Sequence, residues 1–171
     1  MNSGNSKNTA ELMRELLNRF EIDKRTIDEK EVWLSIEKDI LLDLMKAVKN
    51  AGFDHCSTIS TTDWPEEAIF ELTYHFWSYK HKIVLNVKTE IERSEPNIDS
   101  LYSIWKESSQ IHERELHELF GINFIGNPNQ EPLFLEDWEG PPPFRKDFNW
   151  RDHVREKYYE QEEKREKPYW N

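Results

Sequence analysis

Two runs of alternating side chains, joined by a short turn, limit what this chain can fold into more than any other feature. In residues 68–77 the apolar positions are Ala68, Phe70, Leu72, Tyr74 and Phe76. After "SYKH" the alternation resumes with Ile83, Leu85, Val87 and Thr89. Residues two apart share a face of a strand, so the pattern predicts an antiparallel hairpin with one buried face and one wet face. A sheet with one apolar face needs a second layer.

The rest of the chain supplies that layer. Residues 8–20 set Leu12, Met13, Leu16, Leu17 and Phe20 on one helical stripe, with Asn8 and Glu11 spaced as a capping box. Residues 39–50 do the same with Leu41, Leu44, Met45 and Val48, and Gly52 stands where that helix would stop. Val32, Leu34 and Ile36 alternate as a strand, and residues 53–62 read as a polar strand. A helix is expected from Asp99, burying Leu101, Ile104 and Trp105. Another is expected through residues 112–120, with Leu116, Leu119 and Phe120 inward and Gly121 ending it. The expected fold is α+β: two layers, helices packed on a mostly antiparallel sheet, in the order α-β-α-β-β-β-α-α.

Beyond Gly121 the periodicity ends. Residues 126–150 hold five of the chain's 8 prolines. The organisation that follows is a flexible N-terminus over 1–7, an α+β domain over 8–125, and a proline- and aromatic-rich docking tail over 126–171. Leu133, Phe134, Leu135, Trp138, Phe144, Phe148 and Trp150 are costly to leave in water, at roughly 1.5–3 kcal/mol for each large side chain. The tail is therefore expected to lie along a surface, either of its own domain or of a partner.

Composition removes several function classes. The net charge of −11 argues against nucleic acid, whose phosphates would be repelled. A single cysteine, Cys56, rules out an internal disulfide and a four-cysteine iron–sulfur cluster. His55 precedes it, but neighbours in a strand point to opposite faces, so a structural thiol is expected. No apolar run approaches the 18 or so residues of a membrane span, and a cytoplasmic location is expected. With 5 glycines there is no phosphate-binding loop.

The stretch "HERELH" at 112–117 looks like a zinc-protease helix but fails its spacing. Two imidazoles share a face at i and i+4, whereas His112 and His117 are five apart and diverge. Glu115 and Glu118 lie three apart on one face, yet an acid/base pair needs a pocket that separates their pKa values. The plain reading is a solvated helix face with an Arg114–Glu118 pair. Two further readings remain at this level. One is a small hydrolase built on Glu113, His117 and Glu115, with a further group such as His112 or His75. The other is a free-standing acidic adaptor.

"ERELHELFGINFIGNPN", followed by "LEDWEGPPPFRKDF", resembles the signature region of the thirty-kilodalton subunit of respiratory complex I. The same family occurs in membrane-bound NiFe hydrogenases and related ferredoxin-driven complexes. Glu113, Arg114, Glu115, Glu118, Leu119 and Phe120 fit the first block of that signature. Asp137, Trp138, Gly140, Arg145, Lys146, Asp147 and Phe148 fit the second. The chain departs from the pattern at Asn127 and Glu131, where the family usually has a basic residue (or, at the second position, proline).

The resemblance implies an accessory, cofactor-free scaffold subunit in the peripheral arm of an energy-converting membrane oxidoreductase. Its partners would be a large catalytic subunit, with a quinone pocket or a NiFe site, and a small iron–sulfur subunit. It would have no catalytic centre of its own and would sit on the cytoplasmic side of the membrane, held there by partners. Glu113, Arg114, Glu115, Glu118, Phe120, Asp137, Trp138, Phe144, Arg145, Lys146, Asp147 and Phe148 are then expected to form the docking face. Within it "FRKDF", 144–148, would be the main element, with Asp147 bracing Arg145 or meeting a basic partner group.

Overall fold

The computed structural model describes residues 24–159, together with residues 11, 13, 16–20 and 22. Backbone pairing follows the side-chain alternation. β1 (Lys24–Ile27) and β2 (Glu31–Ser35) form an antiparallel pair, closed by a hydrogen bond from Asp28 N to Glu31 O of 2.8 Å. α1 (Leu41–Asn50) follows, then β3 (His55–Trp64), β4 (Ile69–Ser78) and β5 (Ile83–Glu92). The sheet order is β1-β2-β5-β4-β3, antiparallel throughout except for β2 beside β5. This is the expected α+β architecture, with an irregular C-terminal segment beyond the last strand.

The expected hairpin is β4–β5. Its register places Phe70, Leu72, Tyr74 and Phe76 opposite Ile91, Thr89, Val87 and Leu85, all buried. Val32 and Leu34 of β2 continue that inner face, and Leu41, Leu44, Met45 and Val48 of α1 cover part of it. In β3, Cys56 and Ile59 are both buried although three apart. A bulge between Cys56 and Thr58 shifts the register by one and turns both inward. Burial pushes the Cys56 thiol up to about 12, with the Glu113 carboxyl adding to the effect, so it remains a protonated core group.

Several expected boundaries move. Ala68 belongs to the turn before β4, with a left-handed φ of 57°, because the four-residue turn must reverse the chain there. Asp99 does not open a helix. It ends β6 (Asn97–Asp99), a short strand parallel to β7 (Asn123–Ile125), and α2 (Tyr102–Trp105) starts three residues later. α3 (Glu107–Phe120) then packs along β3. Trp105, the last residue of α2, stacks on Phe76 at 4.5 Å and donates from Nε1 to Phe53 O.

β1, β6 and β7 were not expected; each is held by pairing rather than by a pattern of its own. In the N-terminal segment Met13 and Leu17 are buried in the core as expected, whereas Asn8, on which the expected cap rests, lies outside the described residues. α3 stops at Gly121, whose φ of 75° is left-handed and whose N–H reaches His117 O at 2.8 Å. A last helix, α4 (Trp150–Val154), is capped by the Asn149 side chain. No helix among the described residues is long and apolar enough to cross a membrane.

Candidate docking surface

The signature residues cluster around α3, but they do different work from that of a solvated face. Glu113 is fully buried. Its helical stripe is shared with Ser109, Leu116 and Phe120, so the helix itself aims it inward. One carboxylate oxygen accepts from Leu101 N at 2.7 Å; the other accepts from Ser100 Oγ at 2.5 Å and Asn127 Nδ2 at 2.8 Å. Glu113 thus joins α3 to the β6–α2 corner and to the loop after β7. Burial raises its carboxyl to about 6, against the three hydrogen bonds that pull it down.

The expected Arg114–Glu118 pair does not form, because each side chain is taken by the proline-rich segment. Arg114 donates from Nε to Glu131 O at 3.1 Å and from a terminal nitrogen to Pro132 O at 2.9 Å. The Glu118 carboxylate accepts three successive backbone N–H groups, from Leu133, Phe134 and Leu135, the last at 2.6 Å. Backbone donors in a proline-rich segment lack strand or helix partners, and a carboxylate that takes three of them fixes the segment.

The second block is held in the same way. Phe144 N donates to Leu119 O at 3.0 Å and Arg145 Nε donates to Phe120 O at 2.8 Å, so two of α3's orphan carbonyls are satisfied by the tail. The Arg145 guanidinium also lies over the Phe70 ring, 5.3 Å from its centroid. Phe120 meets Phe70 and Phe144 edge-on, at 6.0 and 5.9 Å. Lys146 N donates to Asp63 Oδ2 at 2.8 Å, and its ammonium sits over Trp64.

Asp147 does not brace Arg145. It meets Arg93, the residue after β5, at 2.7 Å, and Arg93 in turn meets the buried Asp63 of β3 at 2.7 Å. The Arg93 hydrogen bond holds the Asp147 carboxyl below the usual range. Trp138, Phe148 and His153 form a three-ring cluster, and Trp138 Nε1 donates to Pro141 O. Asp137 is exposed beside it.

The residues of the hydrolase reading do not converge. Glu113 has no exposed surface, and His117 bonds through Nδ1 to Ile122 O at 2.8 Å, which requires that nitrogen to carry the proton. Glu115 faces another side, toward a groove between α3 and the tail. Among the described residues no group of three or more His, Cys, Asp or Glu is placed to hold a metal. Arg93 and Asp63, which tie the tail to the sheet, are positions that the sequence reading missed. Ile59, Thr61 and Asp63 share one parity in β3, so an inward carboxylate with no local cation was readable there.

Gly121 is where helix end and tail meet. A Cβ at that position would lie 2.9 Å from Pro142 Cγ and 3.1 Å from an Arg145 nitrogen. Gly121→Ala therefore adds a left-handed strain to a displaced tail, and the expected loss of stability is about 2–4 kcal/mol. Urea unfolding of the purified chain measures it; a loss below about 0.5 kcal/mol would show that the tail does not close on α3 in solution.

Known proteins resemble this chain in sequence and in fold. Residues 34–154 match the family model described as the respiratory-chain NADH dehydrogenase 30 Kd subunit. The C subunit of the F420H2 dehydrogenase of Methanosarcina mazei is 36% identical over 115 residues, covering 66% of this chain and 72% of that protein. The C subunit of the NADH-quinone oxidoreductase of Moorella thermoacetica is 32% identical over 116 residues, 67% of this chain and 78% of that one. Among solved structures, a chain of the membrane-bound sulfane sulfur reductase, an archaeal respiratory membrane complex, superposes with a TM-score of 0.79 at 28% identity, covering 88% of this chain and 91% of that chain. A match that runs from β2 through the tail to α4 takes in both signature blocks and the sheet they fold against: the chain belongs to the 30 Kd subunit family of respiratory-chain NADH dehydrogenase.

Proposed function

We propose that this chain is a cofactor-free scaffold subunit in the peripheral arm of a complex I-like, energy-converting membrane oxidoreductase. The complex would pass electrons from NADH or ferredoxin to a quinone, protons or a sulfur compound and couple that transfer to ion translocation. The partners would be a large catalytic subunit, of quinone-pocket or NiFe type, and a small iron–sulfur subunit. They would hold the chain on the cytoplasmic side of the membrane and carry the iron–sulfur clusters.

One observation carries this reading. Arg114, Glu118 and Arg145 spend their charge on the chain's own backbone, and the segment they hold turns large rings outward. Glu118 fixes residues 133–135 while Phe134 is 64% exposed; Leu119 O fixes Phe144, which is 58% exposed. Such an arrangement builds a surface rather than a reaction centre. In this reading Glu113, Arg114, Glu118, Arg145, Lys146 and Asp147 are the frame of the docking face. Glu115, Phe120, Asp137, Trp138, Phe144 and Phe148 complete it, and the tail over 126–171 is the docking segment of the 8–125 domain.

The test is co-expression of the chain with the large and small iron–sulfur subunits of its complex. Stoichiometric retention is expected, with the cluster spectra arising wholly from the partners. Omitting this chain should abolish electron delivery to the terminal acceptor while leaving the clusters of the isolated partners reducible. A purified chain that fails to associate, or that hydrolyses a substrate alone, overturns the reading.

A further inference from the structure

One side-chain amide, that of Asn127, links the buried Glu113 carboxylate to the start of the tail. Its Nδ2 donates to Glu113 Oε2 at 2.8 Å, and its Oδ1 accepts from Asn129 N at 3.0 Å. The two neighbours fix which way the amide points, since a carboxylate needs a donor and a backbone N–H needs an acceptor. The step then repeats: Asn129 Oδ1 accepts from Glu131 N at 2.9 Å. Glu131 O accepts from Nε of Arg114, the residue after Glu113 in α3, at 3.1 Å. The loop after β7 is thus a relay of hydrogen bonds that leaves α3 at Glu113 and returns to it at Arg114.

The three partners of Glu113 all act as donors. Leu101 N is on Oε1, and Ser100 Oγ and Asn127 Nδ2 share Oε2. A proton on Oε1 would face the Leu101 N–H, which cannot reverse. A proton on Oε2 would need one of its partners to turn acceptor. Ser100 Oγ can do so, although Tyr102 N already takes one of its lone pairs at 3.0 Å. Asn127 then donates to an uncharged hydroxyl oxygen, a weaker acceptor than a carboxylate. Turning the amide over does not help, because Nδ2 would then meet the Asn129 N–H, donor against donor. Protonation therefore weakens the relay at one end of Asn127 or the other.

The surroundings bring that proton within reach. Burial raises the Glu113 carboxyl to about 6. The Cys56 thiol of β3 and the Tyr74 phenol of β4 lie close enough for the Glu113 charge to raise both, and Asp99 of β6 acts on Tyr74 in the same sense. Lys49 of α1 acts on Cys56 in the opposite sense. On α3 itself Arg114 and Glu118 are bonded to the tail and His117 to Ile122 O. Among the described residues no cation forms an ion pair with Glu113.

We propose that Glu113 and Asn127 form a proton-operated catch: the carboxylate holds residues 127–131 in the relay, and proton uptake frees Asn127 from α3 and loosens that loop while the Leu101 bond persists. Arg114 anchors the far end, so the change is felt over 127–131, where the tail begins. The catch stands on the chain's own bonds and is independent of the scaffold reading.

Nuclear magnetic resonance of the full chain between pH 5 and 8 tests it. The Glu113 carboxyl carbon, the Asn127 side-chain amide and the backbone amides of Asn129 and Glu131 should titrate together, with a midpoint of about 6. Protection of the Asn129 and Glu131 amides, corrected for the intrinsic pH dependence of exchange, should fall about ten-fold from pH 7.5 to pH 5. Glu113→Gln, an uncharged isostere, should hold both amides at their low-pH positions throughout. Asn127→Ala should leave the Leu101 amide following Glu113 while Asn129 and Glu131 cease to follow it.

A titration of Asn129 and Glu131 that survives either substitution would overturn the catch. So would amides that stay flat while Glu113 titrates, or a Glu113 that stays ionised down to pH 5. Asn127→Ala removes a half-buried side chain and reads the coupling even if Glu113→Gln does not fold.

Discussion

Glu113→Ala is expected to lower the stability of the chain by about 3–5 kcal/mol, the range for a buried polar network that loses its central acceptor. Three donors, from Ser100, Leu101 and Asn127, would lose their partner in a place that water does not reach freely. The charge of Glu113 adds a pH signature. A carboxyl whose folded value of about 6 lies above its ordinary 4.5 favours folding most below pH 4.5, and that benefit is lost as pH rises through 6. A shift of this size in a fully buried group corresponds to about 2 kcal/mol.

Unfolding by urea at pH 4.5, 6 and 7.5 should therefore show the unsubstituted chain losing stability across this window. Glu113→Gln should remove most of that slope while keeping much of the hydrogen bonding. An unchanged slope in Glu113→Gln would mean that another group sets it, and a loss under about 1 kcal/mol in Glu113→Ala would mean that the three donors find other partners. The same residue gives part of the signature a structural task. Its carboxylate closes α3, β6–α2 and the β7 loop onto one point, and residues 131–135 and 144–145 of the tail are held in turn by α3.

What could be read from the sequence divides along a physical line. The β4–β5 hairpin, β2, α1 and the stop of α3 at Gly121 come from local chemistry: alternation, a helical stripe, and a glycine that tolerates a left-handed turn. Each of these needs only its own residues. β6 and β7 are three residues long and exist because Asn97, Ile98 and Asp99 lie parallel to Asn123, Phe124 and Ile125 across α3. No period can appear in three residues, so such a pair is invisible before the fold is closed.

The tail is a second case. The expectation that its rings must lie along a surface follows from their area. Which surface does not, because its anchors are the carbonyls of Leu119 and Phe120 and the carboxylate of Asp63, groups that become available only once a helix ends or a strand turns inward. Charge alone misleads here. "HERELH" reads as a wet face, yet position 113 falls on the same stripe as Leu116 and Phe120 and is buried. Periodicity, applied to the glutamates as strictly as to the leucines, separates Glu113 from Glu115.

Arg93→Met is expected to cost about 3–5 kcal/mol, since it breaks a buried ion pair from one side. Asp63 is 2% exposed, and without the guanidinium at 2.7 Å its carboxylate keeps, among the described residues, the N–H of Lys146. Methionine preserves much of the aliphatic length, so packing loss is small and the deficit is mainly the uncompensated carboxylate. Asp147→Asn is the contrasting change. Its side chain is 59% exposed, and an exposed partner contributes at most about 1 kcal/mol.

If the buried charge is the cause, Asp63→Asn made on top of Arg93→Met should recover part of the loss, the opposite of additive damage. Unfolding of the four chains gives the comparison, and additive losses would reject the ion-pair account. The pair also reaches the tail, because Asp63 holds Lys146 and Arg93 holds Asp147. Arg93→Met should thus raise hydrogen exchange at residues 144–148 more than at β4, where the hairpin's own pairing persists. Equal loosening of both would show that the salt bridge supports the sheet as a whole. Loosening confined to 144–148 would make Arg93 the link through which the end of β5 positions that segment.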